Sequence, residues 1–204
     1  SLGNRVWFDT DNSGTINGSE VGINAVDVEL YSVDALGNTT FVASQTTSNG
    51  GYYRFDNLPA GDYIVVIPAN EFGPGGTLDG YWSSGTSVDI AGNISDVTAN
   101  DPDIDADDSD DNGLSTFAGN NINYVSAQTV KLGPGASEPI NDNDPALNPE
   151  TGEAANDQSN RTVDFGFYHV SLSNQVFWDI NADGLFDAGD VVLADAIVRL
   201  YASN

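Results

Sequence analysis

The sequence predicts an all-β protein that is folded as a β-sandwich. Apolar and polar residues alternate over many short segments, turns rich in Gly, Asn, Asp or Pro separate these segments, and no segment has the periodicity of an amphipathic helix. With 39% hydrophobic and 10% aromatic residues, the 204-residue chain can bury a substantial core. We therefore expect a folded chain rather than a disordered one.

The predicted strands follow one another along the chain. Val6 and Phe8 share one face of the first strand, and in the second strand Val26, Val28 and Leu30 alternate with Asp, Glu and Tyr. The middle of the chain is richer in Gly, Ser and Asp, so we expect long loops and short strands there. The other strands are predicted, in order, at TTFVASQTT, GGYYRF, GDYIVVI, NYVSAQTVKL and RTVDFGFYHV.

The charge balance limits the possible partners. Thirty-one acidic residues against five basic ones give a formal net charge of −26, which repels nucleic acid and anionic membrane surfaces and favours a cation. The chain has no cysteine and hence no disulfide, so outside a cell it would need bound metal, a large core or another covalent link. Metal fits best with so many aspartates. No apolar run approaches the roughly 18 residues of a membrane span, and the sequence does not begin with a signal peptide. Adaptation to a salty habitat is the alternative explanation of the acidity.

Residues 9–20, DTDNSGTINGSE, match the pattern of a twelve-residue calcium loop. Gly14 stands where such a loop turns sharply, and Thr15 would offer its backbone carbonyl. Because the flanking segments alternate as strands do, the loop does not belong to a helical calcium sensor. The alternative is an acidic surface turn without metal. Side-chain oxygens stand at positions 1, 3, 5, 9 and 12, which are Asp9, Asp11, Ser13, Asn17 and Glu20.

The chain repeats itself at an offset of 170 residues, since segment 1–31 returns as 171–201 with its alternating apolar positions preserved. We predict a calcium-binding domain at 1–170, and the first strands and calcium loop of a second repeat at 171–204. Two strands by themselves are marginally stable, so this tail requires either the rest of a second domain or addition to a neighbouring subunit's sheet. The predicted ligands of the second loop are Asp179, Asn181, Asp183, Leu185, Asp187 and Asp190.

A further acidic segment, DPDIDADDSDDNG, occupies residues 101–113. Crowded carboxylates repel one another unless a cation neutralises them, which predicts further calcium ligation, and a solvated acidic loop is the alternative. Asp142 and Asp144 are weaker candidates for lending a ligand to a neighbouring site. The predicted ligands of the acidic segment are Asp101, Asp103, Asp105, Asp107 and Asp110.

The sequence offers little to catalysis. His169 is the only histidine and ends an apolar strand, with no cysteine nucleophile and no evident serine partner, so we predict no enzymatic activity. Tyr81 and Trp82 could stack against a sugar ring, but packing at the edge of the sandwich is the simpler interpretation.

The strings VWFDTDNSGTINGSE, TTSNGGYYRFDNLPAGDYIVVI, DIDADDSDDNG and TVDFGFY together resemble the calcium-binding B-repeat family of serine-aspartate repeat surface adhesins. The resemblance implies an immunoglobulin- or prealbumin-like β-sandwich of the Cna-B kind, found in tandem on bacterial surfaces, where calcium stiffens a stalk beneath a ligand-binding head. It implies no catalysis. The lysine–asparagine isopeptide bond of related collagen-adhesin repeats is not expected, because the first strand carries Arg5 and the only lysine is Lys131.

The resulting hypothesis is a non-catalytic structural repeat outside the cell, on the cell surface or in a surface filament. Calcium is its predicted cofactor. Its predicted partners are neighbouring repeats or subunits of the same protein, joined in a linear assembly with almost no linker, which would form a stalk, fibre or filament. The alternative function is an adhesive domain that binds a host protein or a glycan directly, with calcium supporting the fold.

Overall fold

The computed structural model describes residues 1–97, 99–103, 110–119, 121–136, 159–170 and 175–200. The chain separates into two compact units, residues 1–170 and residues 171–204. Within the described ranges the only helical element is a 3-10 turn at Ala69–Glu71, and no helix there is long and apolar enough to cross a membrane.

The first unit consists of strands joined by turns and longer loops. Several strands lie where the alternation predicts them, and residues 70–123 contain the expected mixture of loops and short strands. Numbered along the chain, the strands are β1 (Leu2–Phe8), β2 (Asp27–Val33), β3 (Thr39–Thr46), β4 (Tyr52–Phe55), β5 (Gly61–Ile67), β6 (Tyr81–Ser83), β7 (Ser87–Val88), β8 (Ile94–Ser95), β9 (Leu114–Ala118), β10 (Asn121–Ser126), β11 (Val130–Leu132) and β12 (Phe165–His169).

These strands form two main sheets. The four-stranded sheet has the order β4-β1-β12-β6, in which β1 runs parallel to β12 and the other neighbours are antiparallel. The six-stranded sheet has the order β3-β2-β5-β10-β9, with β11 also paired to β5, and is antiparallel throughout. β1 and β2 therefore lie in different sheets, and the segment between them crosses from one sheet to the other. β7 and β8 form a separate small hairpin.

The facing surfaces of the two sheets form the core. On β2, Val28 and Leu30 are fully buried while Asp27 is exposed, as the period of two in a strand predicts. Side chains from both sheets belong to one hydrophobic cluster, so the predicted β-sandwich is confirmed. Its members include Leu2, Val6, Tyr53, Phe55, Phe165 and Phe167 from the four-stranded sheet, and Val28, Leu30, Tyr63, Val65, Ile67, Ile122, Val125, Val130 and Leu132 from the six-stranded sheet.

The outer face of the four-stranded sheet is covered as well. Trp7 alternates with the core residue Val6 and is nevertheless fully buried. Gly166 on β12 leaves room for it, because a Cβ atom there would lie 2.7 Å from Trp7 Cζ2. The Gly166 backbone accepts a hydrogen bond from Ser84 N and donates one to Asp111 Oδ1, each 2.9 Å long. Loop residues thus form a further layer over this sheet, which alternation within β1 did not predict.

The second unit repeats local features of the first. β13 (Phe177–Trp178) pairs with β14 (Val191–Val192), and the pair Phe177–Val192 matches the bridge Trp7–Gly22 at the 170-residue offset. Residues 193–200 form no strand, although their counterparts run into β2. The reason is that β2 is hydrogen-bonded between β3 and β5, and residues 175–200 contain no equivalents of those neighbours.

Apolar side chains of the second unit consequently lack a core. Val198 and Leu200 are the counterparts of the buried Val28 and Leu30, yet they are 76% and 83% exposed. Their alternation predicts inward-facing positions, but a position is buried only when a second sheet covers it. Within residues 175–200 no such sheet is present.

Candidate metal centre

Loop 9–20 follows directly after β1, and its carboxylates converge. Asp9, Asp11 and Glu20 each place a carboxylate oxygen within 4.8 Å of the others, and no other trio of acidic or histidine side chains in the described ranges does so. Phe8 N donates to Val21 O at 2.8 Å, which closes the two ends of the loop against each other. Three of the predicted ligands are therefore brought together.

The remaining predicted ligands surround the side-chain amide of Asn17. Its Nδ2 donates to Ser13 Oγ at 3.0 Å, to Asp11 Oδ2 at 3.3 Å and to the Thr15 carbonyl at 3.4 Å. A positively polarised amide group thus lies where several oxygens converge, and turning this amide over would direct its oxygen to the same point. Asn17, Ser13 and Thr15 therefore lie together, with the Asn17 amide nitrogen facing the oxygens.

Backbone hydrogen bonds to Asp9 and Glu20 shape the loop. Asp9 Oδ1 accepts from Ser13 N at 3.1 Å, and its Oδ2 accepts from Gly14 N at 2.9 Å. Glu20 reaches back to accept from Thr10 N at 2.6 Å and from Asn17 N at 3.0 Å. The first and last ligand positions therefore hold the loop closed around the converging oxygens.

The donor set suits calcium. The three carboxylates, one hydroxyl and one carbonyl are oxygen ligands, as a hard divalent cation prefers. With the Asn17 amide turned over, its oxygen would bring the set to the lower end of calcium's usual coordination of about six to eight. Hydrogen bonds from Ser13 and Asn17 lower the pKa of Asp11, so this carboxylate is ionised at neutral pH. Carboxylates held this close repel one another, and a bound cation would relieve that repulsion.

The second loop repeats this hydrogen-bond pattern at the 170-residue offset. Asp179 accepts from Asp183 N at 3.3 Å and from Gly184 N at 2.8 Å, as Asp9 does from the equivalent positions. Asp190 accepts from Ile180 N at 3.0 Å and from Asp187 N at 3.1 Å, as Glu20 does. The other predicted ligands of this site, Asn181 and Leu185, lie in the same loop.

The two loops differ in how closely their acids approach. In the described residues of the second loop, no three carboxylates have oxygens within 4.8 Å of one another. Asn181 occupies the place of Asp11 and donates its amide hydrogen to Asp183 Oδ2 at 2.9 Å. The second loop therefore has the same hydrogen-bonded shape as the first, but its carboxylates lie farther apart.

The acidic segment does not form one cluster within its described part. Both oxygens of Asp103 accept from Lys131 N, each at 3.0 Å, so this side chain caps the edge of β11. Asp101 accepts from Asp103 N at 3.0 Å. Asp110 lies instead beside loop 9–20, where it pairs with Thr15 in a β-bridge. Asp105, Asp107, Asp142 and Asp144 lie outside the described residues.

Desolvation by burial raises the pKa of Asp103 to about 6 and the pKa of Asp111 well above its ordinary value. Asp111 is buried beneath the outer layer, where its Oδ1 accepts from Gly166 N and from Gly113 N at 2.9 and 3.1 Å. Asp111 therefore contributes to the layer over the four-stranded sheet, whereas Asp103 lies at the edge of β11 in the six-stranded sheet. They are not in a freely solvated loop.

Asn160 and Asp164 help to anchor the same layer. Asn160 Nδ2 donates to the Pro102 carbonyl at 2.6 Å, and Asp164 N donates to Asn112 Oδ1 at 2.8 Å. Asp164 Oδ2 also accepts from Asn4 Nδ2 at 3.1 Å on β1. Asn160 and Asp164 therefore make contacts with distant segments that their spacing in the sequence does not indicate.

Ser84 and Asn12 are site residues that the sequence did not single out. Ser84 Oγ donates to Asp9 Oδ2 at 2.7 Å, and Asn12 Oδ1 accepts from Gly85 N at 2.7 Å. A cleft of about 360 Å³ lies between loop 9–20 and these residues, with Asp110 and Asp111 also in its lining. The sequence could have pointed to Asn12, because it lies within the calcium-loop pattern, but no motif includes Ser84.

The aromatic and histidine candidates pack against one another. The rings of Tyr81 and His169 lie 3.7 Å apart, and His169 Nδ1 is 3.1 Å from the Gly80 carbonyl. Trp82 packs at 6.4 Å from Phe117. These contacts agree with structural packing at the edge of the sandwich.

Comparison with known proteins identifies similar sequences. A family model described as the SdrD B-like domain matches residues 1–120. The chain is 46% identical over 65 residues to a fibrinogen-binding protein of Staphylococcus epidermidis, covering 32% of this chain and 6% of the relative. It is 35% identical over 96 residues to serine-aspartate repeat-containing protein C of Staphylococcus aureus (strain MRSA252), covering 44% of this chain and 10% of the relative.

The similarity extends beyond staphylococci. Colossin-A of Dictyostelium discoideum is 35% identical over 103 residues, which are 48% of this chain and 1% of that protein. The matched part of the chain thus spans a tenth or less of the length of each of these relatives.

Proposed function

This chain belongs to the SdrD B-like domain family, and on that premise we propose that it is a calcium-stiffened, non-catalytic structural module of an extracellular surface protein. Relatives that contain such modules are serine-aspartate repeat surface proteins, so this chain is a surface-protein module located outside the cell. The stiffening by calcium and the structural role are the proposal.

The convergence of Asp9, Asp11 and Glu20 is the observation that supports calcium binding most directly. An ion bound by this trio would neutralise charges that otherwise repel one another. Because the loop leaves one sheet at β1 and returns toward β2 in the other, its closure would restrain both sheets. Gly14 O accepts from Asp111 N at 2.9 Å, so the outer layer would be restrained together with the loop.

The second loop supports an assembly of repeats. Its hydrogen bonds copy those of loop 9–20, which is what the start of another module of the same kind would show. We infer that 171–204 opens a further repeat and that Asp179, Asp183, Asp187 and Asp190 take part in its calcium site. The partners would be neighbouring repeats in one polypeptide, or other subunits to whose sheets this segment adds a strand.

The test is thermal unfolding of the whole chain in millimolar calcium, after chelation, and in sodium of equal ionic strength. We expect a marked drop in melting temperature on chelation that calcium reverses and sodium does not, because only a bound ion links folding to its own concentration. The variant Asp11→Asn should lose most of this response, whereas Asp34→Asn, in the exposed turn after β2, should retain it. Equal responses to calcium and sodium would contradict the proposal and favour adaptation to salt.

Direct adhesion is a second candidate, favoured by a trough of about 450 Å³ on the outer face of the six-stranded sheet. Its lining includes Ile64, Val66, Tyr31 and Tyr124. Glu29, also in the lining, accepts a hydrogen bond from the Tyr31 hydroxyl at 2.6 Å. Aromatic rings beside polar groups suit a glycan or a peptide. One relative is named a fibrinogen-binding protein.

Binding assays on the calcium-loaded chain would decide between these functions. A ligand whose binding is abolished by Tyr124→Ala and unaffected by Tyr81→Ala would establish the trough as an adhesive site. Absence of binding across panels of glycans and host matrix proteins would leave the structural function.

A further inference from the structure

Three Asn–Gly pairs occur in the chain, at residues 17–18, 49–50 and 112–113. In such a pair the backbone nitrogen of glycine can attack the side-chain carbonyl carbon of asparagine, since glycine has no side chain to hinder the approach. The reaction requires a free glycine N–H and an asparagine side chain that can move. The structure distinguishes the three pairs on both requirements.

The pair at 112–113 is held in place. Asn112 is fully buried, its Oδ1 accepts from Asp164 N at 2.8 Å, and its Nδ2 donates to the Asn100 carbonyl at 3.3 Å. Gly113 N donates to Asp111 Oδ1 at 3.1 Å. Neither the nucleophile nor the carbonyl carbon is available.

In the pair at 49–50 Asn49 is exposed and Gly50 is partly buried, but the glycine nitrogen is engaged in a hydrogen bond. Gly50 N donates to Asn24 Oδ1 at 2.9 Å, and Gly51 N donates to the same oxygen at the same distance. The Asn24 side chain thus holds in place the backbone that follows Asn49. This contact does not involve loop 9–20, so it provides an internal reference.

In the described part of the chain, the pair at 17–18 has a free glycine N–H, and only contacts inside loop 9–20 restrain its asparagine side chain. Asn17 and Gly18 are exposed, and within the described residues the Gly18 N–H makes no hydrogen bond. No atom lies within 4 Å of the place where a Gly18 Cβ would stand, and the backbone there has a φ of +57°. What restrains Asn17 is its side-chain amide, which is bound to Asp11, Ser13 and Thr15 inside the loop.

We propose that Asn17 is a site of spontaneous deamidation and that calcium in loop 9–20 protects it. Gly18 N attacks Asn17 Cγ, the new C–N bond closes a cyclic imide, and the side-chain nitrogen leaves as ammonia with the proton that Gly18 N gives up. Water then adds to one of the two imide carbonyls and breaks its C–N bond. The product at position 17 is an aspartate or an isoaspartate, and no oxidant or reductant is required.

The protection by calcium rests on the proposed function. With an ion bound, the Asn17 side chain is one of the ligands and stays in the loop. Without an ion, Asp9, Asp11 and Glu20 repel one another at their separation of less than 4.8 Å, so the loop opens and releases the amide. Loss of calcium therefore exposes Asn17 to the Gly18 nitrogen.

Each product changes the loop in a predictable direction. An aspartate adds a charged ligand at the position that Asp187 holds in the second loop, and ligand charge raises calcium affinity. An isoaspartate lengthens the backbone by one carbon, which displaces the ligands on either side. The deamidated fraction at position 17 would thus increase irreversibly with the time that the protein spends without calcium.

The experiment follows all three asparagines in the full chain by peptide mapping and mass spectrometry during incubation at mildly alkaline pH, in calcium and in chelator with matched ionic strength. We expect Asn17 to lose its amide fastest in chelator, and several-fold more slowly in calcium, while Asn49 is equally slow in both. Faster loss at Asn49 or Asn112 than at Asn17 in chelator would overturn the proposal.

Calorimetry on the same samples separates this proposal from the proposed function. Equal rates at Asn17 in both buffers, in a chain that calorimetry shows to bind calcium, would overturn the protection while the proposed function stands. Equal rates in a chain that binds no calcium would overturn both. Gly18→Ala hinders the attack with a side chain, and although its φ of +57° adds backbone strain, it should slow the loss at Asn17 to the level of Asn49 in chelator. Asn17→Asp should bind calcium more tightly than the parent chain.

Discussion

Ser84 donates a hydrogen bond of 2.7 Å to Asp9 Oδ2 across 75 residues of sequence. Both residues are buried, and the same oxygen accepts from Gly14 N at 2.9 Å. Asp9, the first predicted ligand of loop 9–20, is therefore oriented both from inside the loop and by the residue after β6. This places the proposed calcium site in contact with the folded sandwich and not only with its own turn.

Replacing Ser84 should weaken both the fold and the site. Ser84→Ala leaves a buried charged acceptor with one partner fewer, which we expect to lower the free energy of unfolding by about 1–3 kcal/mol and to reduce calcium affinity. Urea denaturation in calcium and calorimetry measure these effects. Ser95→Ala, which removes an exposed hydroxyl, should change stability by no more than about 0.5 kcal/mol. Equal losses in the two variants would refute the role of the Ser84–Asp9 bond.

Glycine is required at position 14 for its backbone conformation. Gly14 has a φ of +74° and no atom lies within 4 Å of the place where its Cβ would stand, so Gly14→Ala should cost about 1–2 kcal/mol through backbone strain without a clash. Gly73 has equally open surroundings and no positive φ, so Gly73→Ala should be neutral or slightly stabilising. Urea denaturation of both variants measures the difference, and a cost at Gly73 as large as that at Gly14 would contradict the explanation.

Leu30 and Leu200 occupy the same position of the two repeats and should respond differently. Leu30→Ala removes a fully buried side chain and should lower the free energy of unfolding by about 2–5 kcal/mol. Leu200→Ala alters a side chain that is 83% exposed and should change stability by no more than about 0.5 kcal/mol. Urea denaturation of the two variants measures the difference. A large cost for Leu200→Ala would contradict this exposure and show that another surface covers the side chain in solution.

Calcium-free stability should fall as pH rises through the titration of Asp103. Burial raises its pKa from 3.8 to about 6, so between these values the folded state holds more protons than the unfolded state. The stability that protonated Asp103 contributes is complete below pH 3.8 and is lost as pH rises through about 6. Denaturation in chelator over this range measures the slope, which Asp103→Asn should reduce.

The control for this pH dependence is Asp34, where the shift has the opposite sign. Hydrogen bonds from the Asn38 side chain and backbone lower the pKa of Asp34, so its stabilising effect is present above its ordinary pKa and is lost only at lower pH. Asp34→Asn should leave the slope between pH 3.8 and about 6 unchanged. An identical change of slope in both variants would contradict the assignment to Asp103.

Local patterns in the sequence were sufficient to predict several features of the structure. The predicted ligands of loop 9–20 lie within one short segment, so their spacing and the turn at Gly14 were sufficient to predict that these side chains converge. The alternation of Val28 and Leu30 with polar neighbours likewise predicted which face of β2 is buried. Both predictions depend only on the geometry of a short piece of chain.

Contacts between distant segments could not be predicted in this way. Nothing in the spacing of the acidic segment indicates that Asp103 caps β11 while Asp110 joins loop 9–20. The same limit applies to Ser84, which is one serine among many until the fold brings it to Asp9. These roles depend on which strands become neighbours.

The sequence by itself determined the strand periodicity, the shape of both loops and the oxygen chemistry of the proposed site, since each follows from residues close together in the chain. The tertiary structure decided which of these patterns are buried and what supports them. Val28 and Val198 have the same place in the repeat, but Val28 is buried because β2 lies between β3 and β5, whereas Val198 is exposed because residues 175–200 provide no such neighbours. Burial requires a second surface, and that surface comes from distant parts of the chain.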